Sequence, residues 1–278
     1  MRCPTLEELR CSRKMNAADF LISENGRRSL EAVIEPIREL ATLRCDFLGP
    51  VEIQGEEYFL PRFLFRGSNN GDPIRIGIFG SIHGDEPAGA LAIARFLADL
   101  AREPSLADDY QIFAYPICNP TGFEDNTRNS RSGHDLNREF WKNSTQVEVQ
   151  ILENELRTQH FAGLIQLHAD DTSEGIYGFV RGATLTENLL RPALREAGKI
   201  LPRNNNALID GFAARDGMIY DVYEGILTAP REVEPVPFEI ILETPHLAPM
   251  DLQVAALGAA MRTILAEYRS MISFAQNI

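Results

Sequence analysis

Four loops of this 278-residue chain hold polar clusters able to do chemistry. The first, Gly80-Ser-Ile-His83-Gly-Asp-Glu86, sets two metal-competent side chains three residues apart, so both can aim at one point from a single turn. A second runs from Asn119-Pro-Thr-Gly122 through Arg128, Arg131, Asp135, Asn137 and Arg138. The third begins at His168 and continues through Asp170, Asp171 and Glu174, and the fourth is Leu242-Glu243-Thr-Pro245. His83, Glu86 and His168 together would make a His₂Glu donor set with one position left open, the pattern of a catalytic rather than a structural zinc site. Arg128, Asn137 and Arg138 would bring guanidinium forks and an amide close to that metal, and arginine grips carboxylates through two parallel hydrogen bonds. Glu243 is a candidate general base. Each of these residues alone has a plainer reading: a surface histidine, a helix-start glutamate, a salt-bridged loop arginine or a solvated carboxylate at a sheet edge.

The elements that must hold these loops follow from periodicity. Leu30, Val33, Ile34, Ile37, Leu40 and Leu43 recur at helical spacing, so residues 1–45 are expected to be a helical N-terminal extension on a single catalytic domain, 46–278. Two alternating runs flank Gly55-Glu56-Glu57 and predict a β-hairpin. Arg75–Gly80, Tyr110–Cys118, Gly163–His168, Gly175–Val180 and Phe238–Glu243 are short apolar runs that predict strands. Helices are expected from Asp85-Glu86-Pro87 onward, to Arg157 behind a Thr145/Glu148 capping box, over 185–200, and over 251–272. Residues 202–236 look loop-rich. Strands alternating with helices argue for an α/β fold, a three-layer sandwich around a mixed parallel and antiparallel sheet. In such sheets functional groups gather beyond the strand ends, which is where all four clusters fall.

Forty acidic against 27 basic side chains give a formal net charge of −13. Nucleic acid and anionic membranes are repelled by such a surface and are not expected partners. Four scattered cysteines fit neither a disulfide framework nor a thiolate zinc finger. Neither a signal peptide nor a membrane-spanning run is visible, and the expected location is cytoplasmic. Gly80, Gly84 and Gly89 match neither the dinucleotide nor the P-loop spacing, and no G-x-S-x-G elbow occurs. Against this acidic background three arginines within eleven residues (Arg128, Arg131, Arg138) suggest a loop that concentrates positive field for a small anionic substrate.

In chain order across residues 73–245, His83-x-x-Glu86, Asn119-Pro-x-Gly122, Arg128, Asp135-Leu-Asn137-Arg138, His168 and Glu243 resemble the zinc metallocarboxypeptidase superfamily, which includes the succinylglutamate desuccinylase and aspartoacylase branch. The resemblance implies one zinc per chain, held by His83, Glu86 and His168, with Asp135 orienting His83. It implies that Asn137 and Arg138 bind a substrate carboxylate and that Arg128 polarises the scissile carbonyl. Arg131 competes for a substrate role, because the acylase branch carries its arginine closer to the D-L-N-R segment. Glu243 would serve zinc-bound water as general base and then protonate the leaving amine. Tyr220 or Tyr223 would correspond to the substrate-capping tyrosine of digestive carboxypeptidases.

Two activities share this machinery: a metallocarboxypeptidase that removes a C-terminal residue from a small peptide, and an N-acyl-amino-acid deacylase. A non-catalytic zinc or ligand-binding module on the same scaffold is a third reading, opposed by the presence of Glu243 and Arg128. Asp170, Asp171, Glu174, Arg181, Arg203, Arg215 and Arg231 are candidates for the specificity pocket. An acid there would favour basic leaving residues, and an arginine acidic ones or a succinyl or aspartyl group. His134 and His246 adjoin the candidate site residues Asp135 and Glu243, while His160 falls at a helix end. Oligomeric state leaves no mark in the sequence.

Overall fold

The computed structural model describes residues 26–69, 71–180 and 182–276. Helix α1 (Glu31–Arg38) precedes the hairpin of β1 (Leu43–Ile53) and β2 (Glu56–Arg66). There follow β3 (Ile74–Gly80), α2 (Pro87–Arg102), β4 (Tyr110–Tyr115), α3 (Pro120–Asp125), α4 (Val147–Thr158), β5 (Gly163–Asp170) and β6 (Tyr177–Val180). Next come α5 (Ala183–Leu185), a π-helical turn (Thr186–Leu190) and α6 (Arg191–Ala197). The short strands β7 (Leu208–Ile209), β8 (Phe212–Arg215) and β9 (Met218–Ile219) lead to β10 (Phe238–Pro245) and the long α7 (Met250–Gln276).

All ten strands join one mixed sheet in the order β1-β2-β4-β3-β5-β10-β6-β9-β8-β7. Its centre, β4-β3-β5-β10, is parallel, and the hairpin on one side and β6 on the other run antiparallel to their inner neighbours. Period-2 alternation sorts the side chains to two faces. Ile76, Ile78, Ile112, Ile165, Ile240 and Leu242 pack with α1, α2, α6 and α7 on one face. Phe79, Phe113, Tyr115 and Leu164 pack with Val149, Leu152 and Leu156 of α4 on the other. Three layers result, as the alternation of elements implied, and the fold is α/β around a mixed sheet.

The chain leaves β3 toward β4 on one side and leaves β5 toward β10 and β6 on the other. A crevice therefore opens where β3 and β5 end side by side, the place where open α/β sheets bind ligands. His83 and Glu86 follow β3, and His168 lies near the end of β5.

Three local expectations are corrected. The N-terminal helical spacing ends at Arg38, and Leu43 already starts a strand that pairs with Phe65. The capping box of Thr145 and Glu148 does not form: α4 begins at Val147 with no side-chain cap, because Ser144 Oγ accepts the Gln146 N–H (3.2 Å) and Glu148 is buried. The stretch 202–236 contains the three short strands β7 to β9.

Candidate metal centre

The loop after β3 turns sharply through Ser81, which takes a left-handed backbone (φ 47°) and donates its hydroxyl to the Glu86 carbonyl at 3.0 Å. Pro87 then starts α2 with its φ already set for the helix. The loop is held from below by the Asn-Pro-x-Gly turn. Asn119 accepts the Gly122 N–H at 2.9 Å, capping α3, and donates its amide to the carbonyls of Ile82 and Arg128, both at 3.4 Å. Gly84 lies so close to Gly122 that a Cβ would sit 1.9 Å from its carbonyl carbon. Gly89 similarly lets α2 approach the Leu167 carbonyl, where a Cβ would come to 2.8 Å. The glycines of this loop thus serve close backbone packing.

Three donors converge on the crevice. One ligand atom from each of His83, Glu86 and His168 lies within 4.8 Å of the others, and all three residues are at most 4% exposed. His83 Nδ1 stands 2.7 Å from Glu86 Oε1, and His168 Nδ1 stands 3.0 Å from Glu86 Oε2. The Ala169 N–H also donates to Glu86 Oε2 (3.0 Å), which fixes the carboxylate against the end of β5. Asp135 meets the other nitrogen of His83 at 3.2 Å and is itself fixed by the Asn137 N–H at 3.0 Å. This is the carboxylate–histidine pairing that sets the tautomer and direction of a metal-binding imidazole.

Burial works against charge on Glu86, but His83 and His168 outweigh it and hold the carboxyl far below the usual range. Burial likewise opposes the imidazolium of His83, yet Glu86 and Asp135 raise it to about 9. Such a buried, negatively charged carboxylate flanked by two imidazoles, one of them backed by a second carboxylate, fits a divalent metal ion.

A cavity of about 290 Å³ opens over these donors, and Arg128, Asn137, Arg138, Glu243 and His246 share its lining. Glu243 pairs with His168 across β10 and β5 and with Tyr177 across β10 and β6. The three side chains thus share one face at strand spacing. Burial, then the neighbouring Glu86, Asp170 and Asp210, push the Glu243 carboxyl well above its ordinary range. Arg128 makes a two-point contact with Asp135 (Nε 3.1 Å, Nη2 3.0 Å) and lies 3.7 Å from Glu86. Asn137 receives the Leu227 N–H on its carbonyl oxygen (2.9 Å). Arg138 stacks on Tyr223, its guanidinium carbon 4.6 Å from the ring centroid.

Arg131 stands elsewhere. Its guanidinium contacts Glu56, Glu124 and Asp125 at 2.6, 2.6 and 2.7 Å, and it does not line the cavity. The expected substrate role for Arg131 is corrected on that ground: three carboxylates and the Tyr58 hydroxyl already occupy its donors. Tyr223 lines the cavity, whereas Tyr220 does not. Of the specificity candidates Asp170 and Asp171 line it, Glu174, Arg203, Arg215 and Arg231 do not, and Arg181 lies outside the described residues. His134 instead faces Glu139 at 3.8 Å. Sequence reasoning passed over Tyr177, Phe179, Asp210, Ile226 and Ile241, all in the cavity wall. The alternation of Tyr177 and Phe179 was the available signal, but only the pairing of β6 with β10 turns it toward Glu243.

Residues 73–197 match the family model for the succinylglutamate desuccinylase/aspartoacylase catalytic domain. No curated protein matches the sequence. Among solved structures, a protein of Shewanella baltica OS155 with a provisional metallopeptidase assignment is 23% identical, with 84% of this chain and 89% of that one aligned at a TM-score of 0.70. A metallo-carboxypeptidase of Burkholderia cenocepacia is 14% identical over 87% of this chain and 68% of its own, with a TM-score of 0.66. A metallo-carboxypeptidase of Pseudomonas aeruginosa, in complex with (2-guanidinoethylmercapto)succinic acid, is 15% identical over 84% and 66%, with a TM-score of 0.62. The family-model match lies over residues 73–197, and the likenesses to solved structures show a fold shared with metallo-carboxypeptidases.

Proposed function

We propose that this chain is a zinc-dependent amide hydrolase that releases an α-amino acid with a free carboxylate, acting as a metallocarboxypeptidase on small peptides. The observation that carries the reading is the placement of Glu243 beside His168, within the same cavity as the His83–Glu86–His168 donors and Arg138. The metal would be a single zinc held by those three donors, and when bound it supplies Lewis acidity toward water and a carbonyl oxygen. Glu243 takes the proton of the attacking water on its carboxylate and delivers it to the leaving amine. Arg128 sets a fixed positive charge beside the donors, where it stabilises charge developing on the carbonyl oxygen. Asp135 keeps both Arg128 and His83 in place. Asn137 and Arg138 receive the substrate carboxylate, the first with the amide N–H groups left by its bond to Leu227, the second with a guanidinium held flat on Tyr223.

A second reading, N-acyl-amino-acid deacylase, is favoured by the family-model match over residues 73–197. Both activities break an amide next to a carboxylate and use the same residues. One solved relative holds a succinic acid derivative, and another, the ectoine utilization protein EutE (DoeB) of Ruegeria pomeroyi, is product-bound. The deciding experiment compares zinc-loaded protein on short peptides and on the matching N-acyl amino acids, with metal content measured on the same sample. Turnover of peptides above N-acyl amino acids is expected. The reverse order makes the protein a deacylase, and stoichiometric zinc with turnover of neither makes it a binding module.

A further inference from the structure

One polar side chain stands beneath the site without lining it. Gln166 lies on β5 two residues before His168 and on the same face. Its lateral neighbours on that face are Phe79 of β3 and Ile241 of β10, and Phe179 of β6 continues the row. An amide 1% exposed among such apolar neighbours costs stability unless its polar groups are paired. Here the pairing is half complete. Gln166 Nε2 donates to the Leu227 carbonyl at 2.7 Å, while its Oε1 has no partner among the described residues. One good bond against one orphaned oxygen leaves the amide little net worth to the fold.

That bond leads toward the cavity. The Leu227 peptide is gripped on both sides, its carbonyl by Gln166 and its N–H by Asn137 Oδ1 at 2.9 Å. Main-chain polarity fixes both amides: a carbonyl must meet the Gln166 NH2, and an N–H must meet the Asn137 oxygen. Asn137, buried at 4% exposure yet part of the cavity lining, thereby keeps its NH2 for a substrate carboxylate. The segment around Leu227 has no regular structure of its own and leans on the loop that carries Asn137. Gly225 accepts the Phe140 N–H at 3.1 Å, and the Trp141 indole donates to the Thr228 carbonyl at 3.1 Å. Gly225 comes so close that a Cβ would lie 2.7 Å from the Arg138 carbonyl oxygen. We infer that Gln166 is a positioning residue: through the Leu227 peptide it fixes the Asn137 amide and ties the carboxylate receptor to the strand that bears His168. One strand then sets the spacing between a metal donor and the receptor. The inference rests on the proposed role of Asn137 in carboxylate binding.

The test is a double-mutant cycle. Gln166→Met keeps the length of the side chain and removes its donor; Gln166→Ala repeats the cycle where methionine packs poorly. Zinc-loaded wild type, each Gln166 variant, Asn137→Ala and the double variants are assayed on a series of hippuryl and N-acetyl amino acids. Calorimetry with the free amino acids and their amides, and hydrogen exchange over residues 225–229, are read on the same samples. Loss of the Gln166 donor is expected to raise KM roughly tenfold, with kcat within a factor of about two. It should weaken the free amino acids equally, leave their amides unaffected, and quicken exchange at the Leu227 N–H. In the Asn137→Ala background it should add nothing to KM, because two changes that act through one group do not sum. Additive effects, unchanged Leu227 exchange, or a fall in kcat alone overturn the inference, and persisting cleavage then leaves the hydrolase standing. Asn137→Ala with binding unchanged removes the carboxylate role of Asn137 and the inference with it. Absence of cleavage in every sample, with amino-acid binding and Leu227 exchange still following Gln166, sinks the hydrolase and keeps the inference.

Discussion

Arg128 and Arg131 lie three residues apart in one loop, and the structure gives them opposite surroundings. Arg128 is nearly half exposed, meets one carboxylate squarely, and faces the metal donors. Arg131 is 9% exposed in its side chain and is caged by three carboxylates drawn from the β1–β2 hairpin and α3. The first keeps a side of its guanidinium open toward the cavity; the second has its fork filled. What separates a reagent from a rivet here is the number of anions already within reach, a tertiary property.

The comparison can be pressed hardest at the chemical end. Glu243→Gln should retain its zinc and lose on the order of 10²–10⁴ in kcat; near wild-type turnover in a zinc-replete sample sinks the proton-transfer role. Arg128→Ala should lower kcat by on the order of 10²–10³ while the melting temperature barely moves. Arg131→Ala should show the mirror image. Removing it leaves Glu124 and Asp125 to the more exposed Arg27 (3.3 and 3.7 Å), a loss of about 1–2 kcal/mol after allowing for their partial exposure, with kcat/KM of the folded protein unchanged. Denaturant titration beside a kinetic assay reads both, and a collapse of kcat with normal stability would return Arg131 to the site.

A smaller effect refines the same contrast. The Arg131 hydrogen bond, aided by charge, holds Asp125 below its ordinary range. A carboxyl lowered on folding contributes stability above its unfolded pKa and loses it as pH falls through the folded value. The stability gap between wild type and Arg131→Ala should therefore be widest near neutrality and narrow as pH falls below ~4. A gap independent of pH would mean that Arg131 acts through packing.

The parts of the site that were readable before the structure are those set by short range. His83 and Glu86 share a turn, and the D-L-N-R segment carries its own 3-10 turn, Leu136–Arg138, capped by Asp135. His168 and Glu243 were legible as polar residues ending apolar strands. Arg131 was misplaced because Glu56, one wall of its cage, comes from 75 residues away. Tyr177 and Asp210 were missed because their positions depend on how β6 pairs with β10 and on two-residue strands too short to show a period. Thr145 and Glu148 had the right types for a cap, but Ser144 reaches the turn first.

The Asp210 turn lies between β7 and β8 at the last edge of the sheet, far along the chain from every metal donor. Its anchoring to the rest of the wall is modest: Ile209 and Phe212 packing, and one tyrosine hydroxyl on a main-chain oxygen. The cavity wall is thus assembled from two parts of unequal support, a crevice built into the parallel centre of the sheet and a hairpin hung on its edge.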